Sequence, residues 1–179
     1  MDGSSDSFFV VDFTSPEELP ETFGSSVYIA LSDTRITSIS CVREVHGLAR
    51  PWAFSAFFAF DASAMLYFLS PVTTEHGASL QVRPEVALTV CDTQQTADAG
   101  RVGLQAVGDC WLAEGSSLDE GLKAYRDRFP ATSSVLHSTE TYVASGWESQ
   151  LWVVALKTIK LFDECRFDQE TWYTASVER

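Results

Sequence analysis

Apolar residues in this chain gather in short runs, alternating with polar positions or continuous, and the runs are separated by Gly, Pro, Asp and Ser. Ile36 to Val42, Ala53 to Phe60, Met65 to Leu69, Val86 to Cys91 and Arg101 to Leu112 are five such runs. Each is rich in β-branched or aromatic side chains and reads as a strand. A further one, Leu151 to Leu156, continues its pattern through Ile159-Lys160-Leu161-Phe162. Asp61-Ala62-Ser63-Ala64 links two runs at a length that suits a hairpin. Val86 to Cys91 reads as a strand buried on both faces.

Helical signals are fewer. Ser15-Pro16-Glu17-Glu18 combines a cap hydroxyl, a proline at the first helical position and a Glu three residues after the cap. It predicts a helix running toward Leu31, with Pro20 and Gly24 as points of interruption, preceded by a short arm or strand at Phe8 to Phe13. Ser117-Leu118-Asp119-Glu120 has the form of a capping box, and Leu118, Leu122, Tyr125 and Phe129 share one helical face before Pro130 ends it. Ala131 to Gly146 is polar and predicts a loop. Phe167, Trp172 and Tyr173 predict a tail docked on the surface. Six or more mostly antiparallel strands with peripheral helices imply a mainly β (α+β) fold, a small β-barrel.

A chain of 179 residues is long enough for one core without disulfides or metal. With 12 basic and 25 acidic residues its formal charge is −13, a balance that disfavours nucleic acid and anionic membranes as partners. No stretch approaches the ~20 apolar residues of a membrane span, and MDGSSDSFF lacks the pattern of a signal peptide, so a cytoplasmic location is expected. Cys41, Cys91, Cys110 and Cys165 are widely spaced and read as free thiols. No His or Cys pair has metal-ligand spacing, and no metal is expected. His46, His76 and His137 have no local nucleophile, and no catalytic acid or base can be named.

The segment MLYFLSPVTTEHGASLQVRP, Met65 to Pro84, reads as a buried strand feeding a short helix through a hydroxyl-rich turn. Thr73 and Thr74 supply hydroxyls and the helix start supplies free N–H groups, which together suit an anion. Glu75 places a negative charge beside it.

The order of segments resembles the flavin-binding split-barrel superfamily typified by pyridoxamine 5′-phosphate oxidase, and more closely a small uncharacterised bacterial branch of it. The matching residues are Trp52-Ala53-Phe54-Ser55-Ala56-Phe57-Phe58-Ala59-Phe60-Asp61, Leu66-Tyr67-Phe68-Leu69 followed by Thr74-Glu75-His76, and Arg83-Pro84-Glu85-Val86-Ala87-Leu88. Lys123-Ala124-Tyr125 with Arg128-Phe129-Pro130, and Leu156 with Ile159-Lys160-Phe162-Asp163, complete the set. The resemblance implies a six-stranded antiparallel split β-barrel from residue 29 to the C-terminus, with an arm and helix start at 1–28 and an insert at 131–150. It also implies a homodimer holding flavin mononucleotide (FMN) between protomers. Thr73, Thr74 and His76 would lie near the phosphate, Ala53, Phe54, Ser55 and Ala56 along the isoalloxazine edge, and Gln105 in the cleft. Glu75 stands where the family has Arg, which removes a charge-assisted pair and adds repulsion. Arg50 and Arg101 are the cations that would replace it, from a neighbouring strand or the second protomer. The function implied is a flavin-dependent oxidoreductase of unknown substrate. The alternatives are a split barrel that has lost flavin and serves as a non-enzymatic binding protein, or one that binds haem through His76 or His137.

Overall fold

In a computed structural model describing residues 8–96 and 98–179, the chain forms the expected split barrel. The elements are β1 (Asp12–Thr14), α1 (Phe23–Asp33), β2 (Ile36–Val45), β3 (Leu48–Phe60), β4 (Met65–Pro71) and α2 (Glu75–Leu80). There follow β5 (Glu85–Cys91), β6 (Val102–Leu112), α3 (Ser116–Arg128), a 3₁₀ turn (Pro130–Thr132), α4 (Thr139–Ala144), β7 (Ser149–Asp163) and β8 (Trp172–Glu178). The antiparallel order β7-β4-β3-β2-β5-β6 closes on itself because β6 also pairs with β7, giving a six-stranded ring. β8 and then β1 extend the sheet beyond β7.

The 15-residue β7 makes this possible. Its first half pairs with β4, its second half with β8, and β6 runs along most of its length across a bulge at Val107/Gly108. Alternation directs Ile39, Phe58, Leu66, Phe68, Leu88, Leu104, Trp152 and Val154 into the barrel, all at 2% exposure or less. Helix α1 adds Phe23, Val27, Ala30 and Leu31 to the same core, at the i, i+3/i+4 spacing of one helical face. The expected division at 28/29 therefore falls inside a helix. A second cluster forms outside the barrel, where α3 and α4 bury Leu122, Tyr125 and Tyr142 against Tyr67, Leu151 and Val153.

Several local expectations are corrected. The Ser15-Pro16 motif makes a local contact, with Glu17 N–H donating to Ser15 Oγ (3.3 Å), and starts no helix. Helix α1 starts after Pro20, whose missing N–H and bulky ring do not fit a helix interior. The capping box at Ser117 is also absent: Gly115, at φ 55°, caps α3, and Ser117 Oγ turns back to donate to Glu114 O (2.8 Å). The polar segment from Ala131 contains part of the 3₁₀ turn and α4, capped by Ser138 and anchored by buried Leu136 and Tyr142. The tail is strand β8, with Ala175 and Val177 facing the core.

The barrel is split at β3 and β4. Their ladder has only Phe58↔Phe68, Ala59↔Tyr67 and Phe60↔Leu66. Beyond it β3 pairs with β2 alone, and β4 with β7 alone.

Gly121 marks where α3 lies against the barrel: a Cβ there would come within 2.5 Å of the Tyr67 ring and 2.6 Å of Leu151 Cδ2. Gly121→Val is expected to cost about 1–3 kcal/mol through overpacking, read as a lower denaturant midpoint with an unchanged slope.

Candidate functional site

The turn after β4 is held by its own backbone. Thr74 caps α2: its hydroxyl accepts from Gly77 N–H (3.1 Å) and donates to Pro71 O (2.8 Å). Gly77 is needed for that packing, because a Cβ would meet Pro71 O at 2.6 Å and Val72 O at 2.8 Å. The Thr74 hydroxyl is thus occupied, while Thr73 is exposed. Helix α2 is six residues long, so a macrodipole contributes little here.

His76, the second residue of α2, fills the gap left by the diverging strands. Its ring stacks on Phe54 of β3 at 3.8 Å and 9°. Its Nε2 shares a 2.6 Å hydrogen bond with Ser70 Oγ at the end of β4, and Trp152 Nε1 donates to Ser70 O (3.0 Å). Burial pushes the imidazole pKa below its usual 6.5.

Glu75 does not confront the turn unpaired. Its carboxylate is joined to the Arg43 guanidinium of β2, which lies over the Trp52 ring at 4.4 Å. Arg43 stands directly opposite Arg50 in the β2–β3 register, so both side chains leave the same face. The Nε of Arg43 and the Nε1 of Trp52 are buried without a partner among the described residues. Arg43 lies beyond Val42, where the apolar run that marks this strand in the sequence ends, while β2 itself continues to Val45. The available signal was parity, since Ile39, Cys41 and Arg43 alternate onto one face.

The remaining predicted site residues separate into three places. Phe54 and Ala56 face inward and pack against the barrel core. Ala53 and Ser55 face outward, in a row that runs Ser55↔Ser38↔Thr89↔Gln105↔Lys160 across five strands. Gln105 is three strand spacings from Ser55, roughly 14 Å, so one protomer does not bring it to the turn. Arg101 is held by Glu164 (2.5 Å), which follows the far end of β7 from Ser149, the partner of Pro71 before the turn. Within one protomer it is therefore remote from Glu75.

Comparison with known proteins bears on this arrangement. No family model matches the chain. A UPF0306 protein of Photorhabdus laumondii is 27% identical over 113 residues, covering 63% of this chain and 70% of that protein. Among solved structures, a heme binding protein from Mycobacterium smegmatis has a TM-score of 0.65 at 15% identity over 89% of this chain, which spans 60% of that protein. A protein of the pyridoxinephosphate oxidase family from Clostridium acetobutylicum, related to general stress protein 26, has a TM-score of 0.58 at 13% identity, with coverage of 88% and 96%. The fold is that of the pyridoxine phosphate oxidase-like split barrels. A FAD-binding protein from Mesorhizobium loti has a TM-score of 0.50 at 14% identity, with coverage of 84% and 96%. Structures similar to this chain are thus named for both FAD and heme.

The depressed His76 pKa has a sign. The folded state favours neutral imidazole, so its contribution is present above the unfolded pKa near 6.5 and is lost as pH falls below it. His76→Gln is expected to flatten the fall in Tm between pH 7.5 and 5, as measured by calorimetry in matched buffers; an unchanged slope would contradict the burial of His76.

Proposed function

We propose that the protein is a homodimeric flavin-binding split barrel, with FMN as cofactor and an oxidoreductase role on a substrate the site does not identify. The observation that carries this reading is the open edge of β3 over residues 51–56, which β4 leaves without a strand partner beyond Phe58; at Phe57 the carbonyl accepts from the Tyr125 hydroxyl (3.1 Å). Unpaired strand-edge N–H and C=O groups are ready partners for a planar ring bearing donors and acceptors. His76 on Phe54 brings α2 to that edge, and with it come the exposed Thr73 before the helix and Arg43, bonded to Glu75, with Arg50 opposite it in the ladder, which suit a phosphate. Bound flavin would supply hydride or electron transfer at its isoalloxazine ring. The chain would supply anchorage and a cleft with limited water.

Dimerisation belongs to the same reading. Exposed Ile36, Phe57 and Val107 (49%, 55% and 48%) lie on the outer sheet face with the small residues Ser38, Ser40, Ala53, Ser55 and Ala87. A flat face of small side chains lets a second copy approach closely. It would also bring a partner's outer row toward the open edge, which supports a place for Gln105 in the cleft. Among the described residues no helix is long and apolar enough to cross a membrane. We retain a cytoplasmic location as part of the proposal.

Two observations favour the non-enzymatic alternative: His76 on Phe54 fills part of the split, and Thr74 is committed to its cap. A haem reading finds less support, because His76 Nε2 is already engaged with Ser70.

FMN titrated with purified protein discriminates these readings. Saturable quenching of flavin fluorescence at micromolar protein, with sedimentation as a dimer, is the expected result. No binding at high micromolar protein would leave the non-flavin alternative.

A further inference from the structure

Two buried N–H donors, Arg43 Nε and Trp52 Nε1, belong to side chains stacked on each other and have no acceptor among the described residues. Each unmatched buried donor is unfavourable, and a pair of them at one place asks for an acceptor group. The β2–β3 register adds Arg50 directly opposite Arg43, although like charges directly opposite destabilise a sheet. Glu75 is the one carboxylate bonded to this pair among the described residues. Two cations, one anion and two open donors thus meet in a chain of net charge −13.

We propose that Arg43, Arg50 and Trp52 bind a dianionic phosphate group, and that Glu75 is an intramolecular competitor which holds Arg43 until phosphate displaces it. The site rests on the flavin reading only for the identity of the phosphate's carrier. A phosphate monoester carries nearly two charges and three acceptor oxygens, so it can take Arg43 from Glu75 and still satisfy the open donors. A carboxylate ligand offers Arg43 nothing that Glu75 does not already supply. The pair therefore selects phosphate over carboxylate and lowers affinity for both. Glu75 is 57% exposed at the start of α2, and on release its carboxylate returns to water.

The test follows the Arg43 Nε–H and Trp52 Nε1–H resonances by ¹⁵N NMR during titration with inorganic phosphate, acetate, FMN and riboflavin. Both signals are expected to shift saturably with phosphate and with FMN, and to stay in place with acetate. Glu75→Gln is expected to tighten phosphate and FMN about fivefold, the equivalent of releasing a partly exposed ion pair, with riboflavin unchanged. Arg50→Gln, at an exposed position, is expected to weaken both. Signals unmoved by phosphate, or a Glu75→Gln protein with wild-type affinity, would overturn the proposal. FMN binding that leaves both signals in place would overturn this site and leave the flavin reading standing. A phosphate response without FMN binding would do the reverse.

Discussion

Strands β3 and β4 share three residue pairs, and most of what is distinctive in this molecule follows from where that ladder stops. Before it stops, Asp61 fixes the hairpin: Oδ1 accepts from Ser63 N–H (2.8 Å) and Met65 N–H (3.1 Å), and Oδ2 accepts from the Tyr67 hydroxyl (2.7 Å). After it stops, β4 stays with β7 and β3 stays with β2, so the barrel wall opens. Continuous pairing would have satisfied the β3 edge with another strand. Divergence leaves that edge available and gives α2 a place to enter, with Phe54 and His76 stacked across the gap.

Charge is arranged sparingly around the opening. In a strongly acidic chain, two of twelve basic residues face each other on one hairpin, and the acidic residue that first suggested a defect is bonded to one of them. Glu75 therefore does not leave bare negative charge at the turn. Its effect is to occupy a cation, and the energy at stake is that of a partly exposed ion pair, about 0–1 kcal/mol, far below the cost of a buried unpaired carboxylate. Such a difference tunes affinity without deciding whether an anion can bind.

The strands were legible because alternation is dictated by a barrel with one wet and one dry face: Ile36 to Val42 and Val86 to Cys91 are each within a few residues of β2 and β5. Val86 to Cys91, however, alternates buried with exposed positions, so its outward face is not buried as its composition suggested. Strand β8 escaped notice because its core contacts are Ala175 and Val177, too small to stand out from the polar tail. Helix α4 escaped because six polar-rich residues carry little periodicity, and Tyr142 alone anchors them. Thr73, Thr74 and His76 can be placed on the turn and the start of α2 from local sequence, since a turn is a local object. The Arg43–Glu75 pair spans 32 residues of sequence and exists only once β2 and α2 are packed together. No local pattern encodes it.

Crystallisation with FMN tests the central claim most directly, namely that the split between β3 and β4 is a flavin cleft. The expected result is an isoalloxazine ring along residues 51–56 of β3, with its phosphate between Arg43 and the turn at Thr73, and a second copy of the chain covering the outer face. A flavin bound elsewhere, or a β3 edge paired with a strand from another chain while FMN is present at saturating concentration, would contradict it.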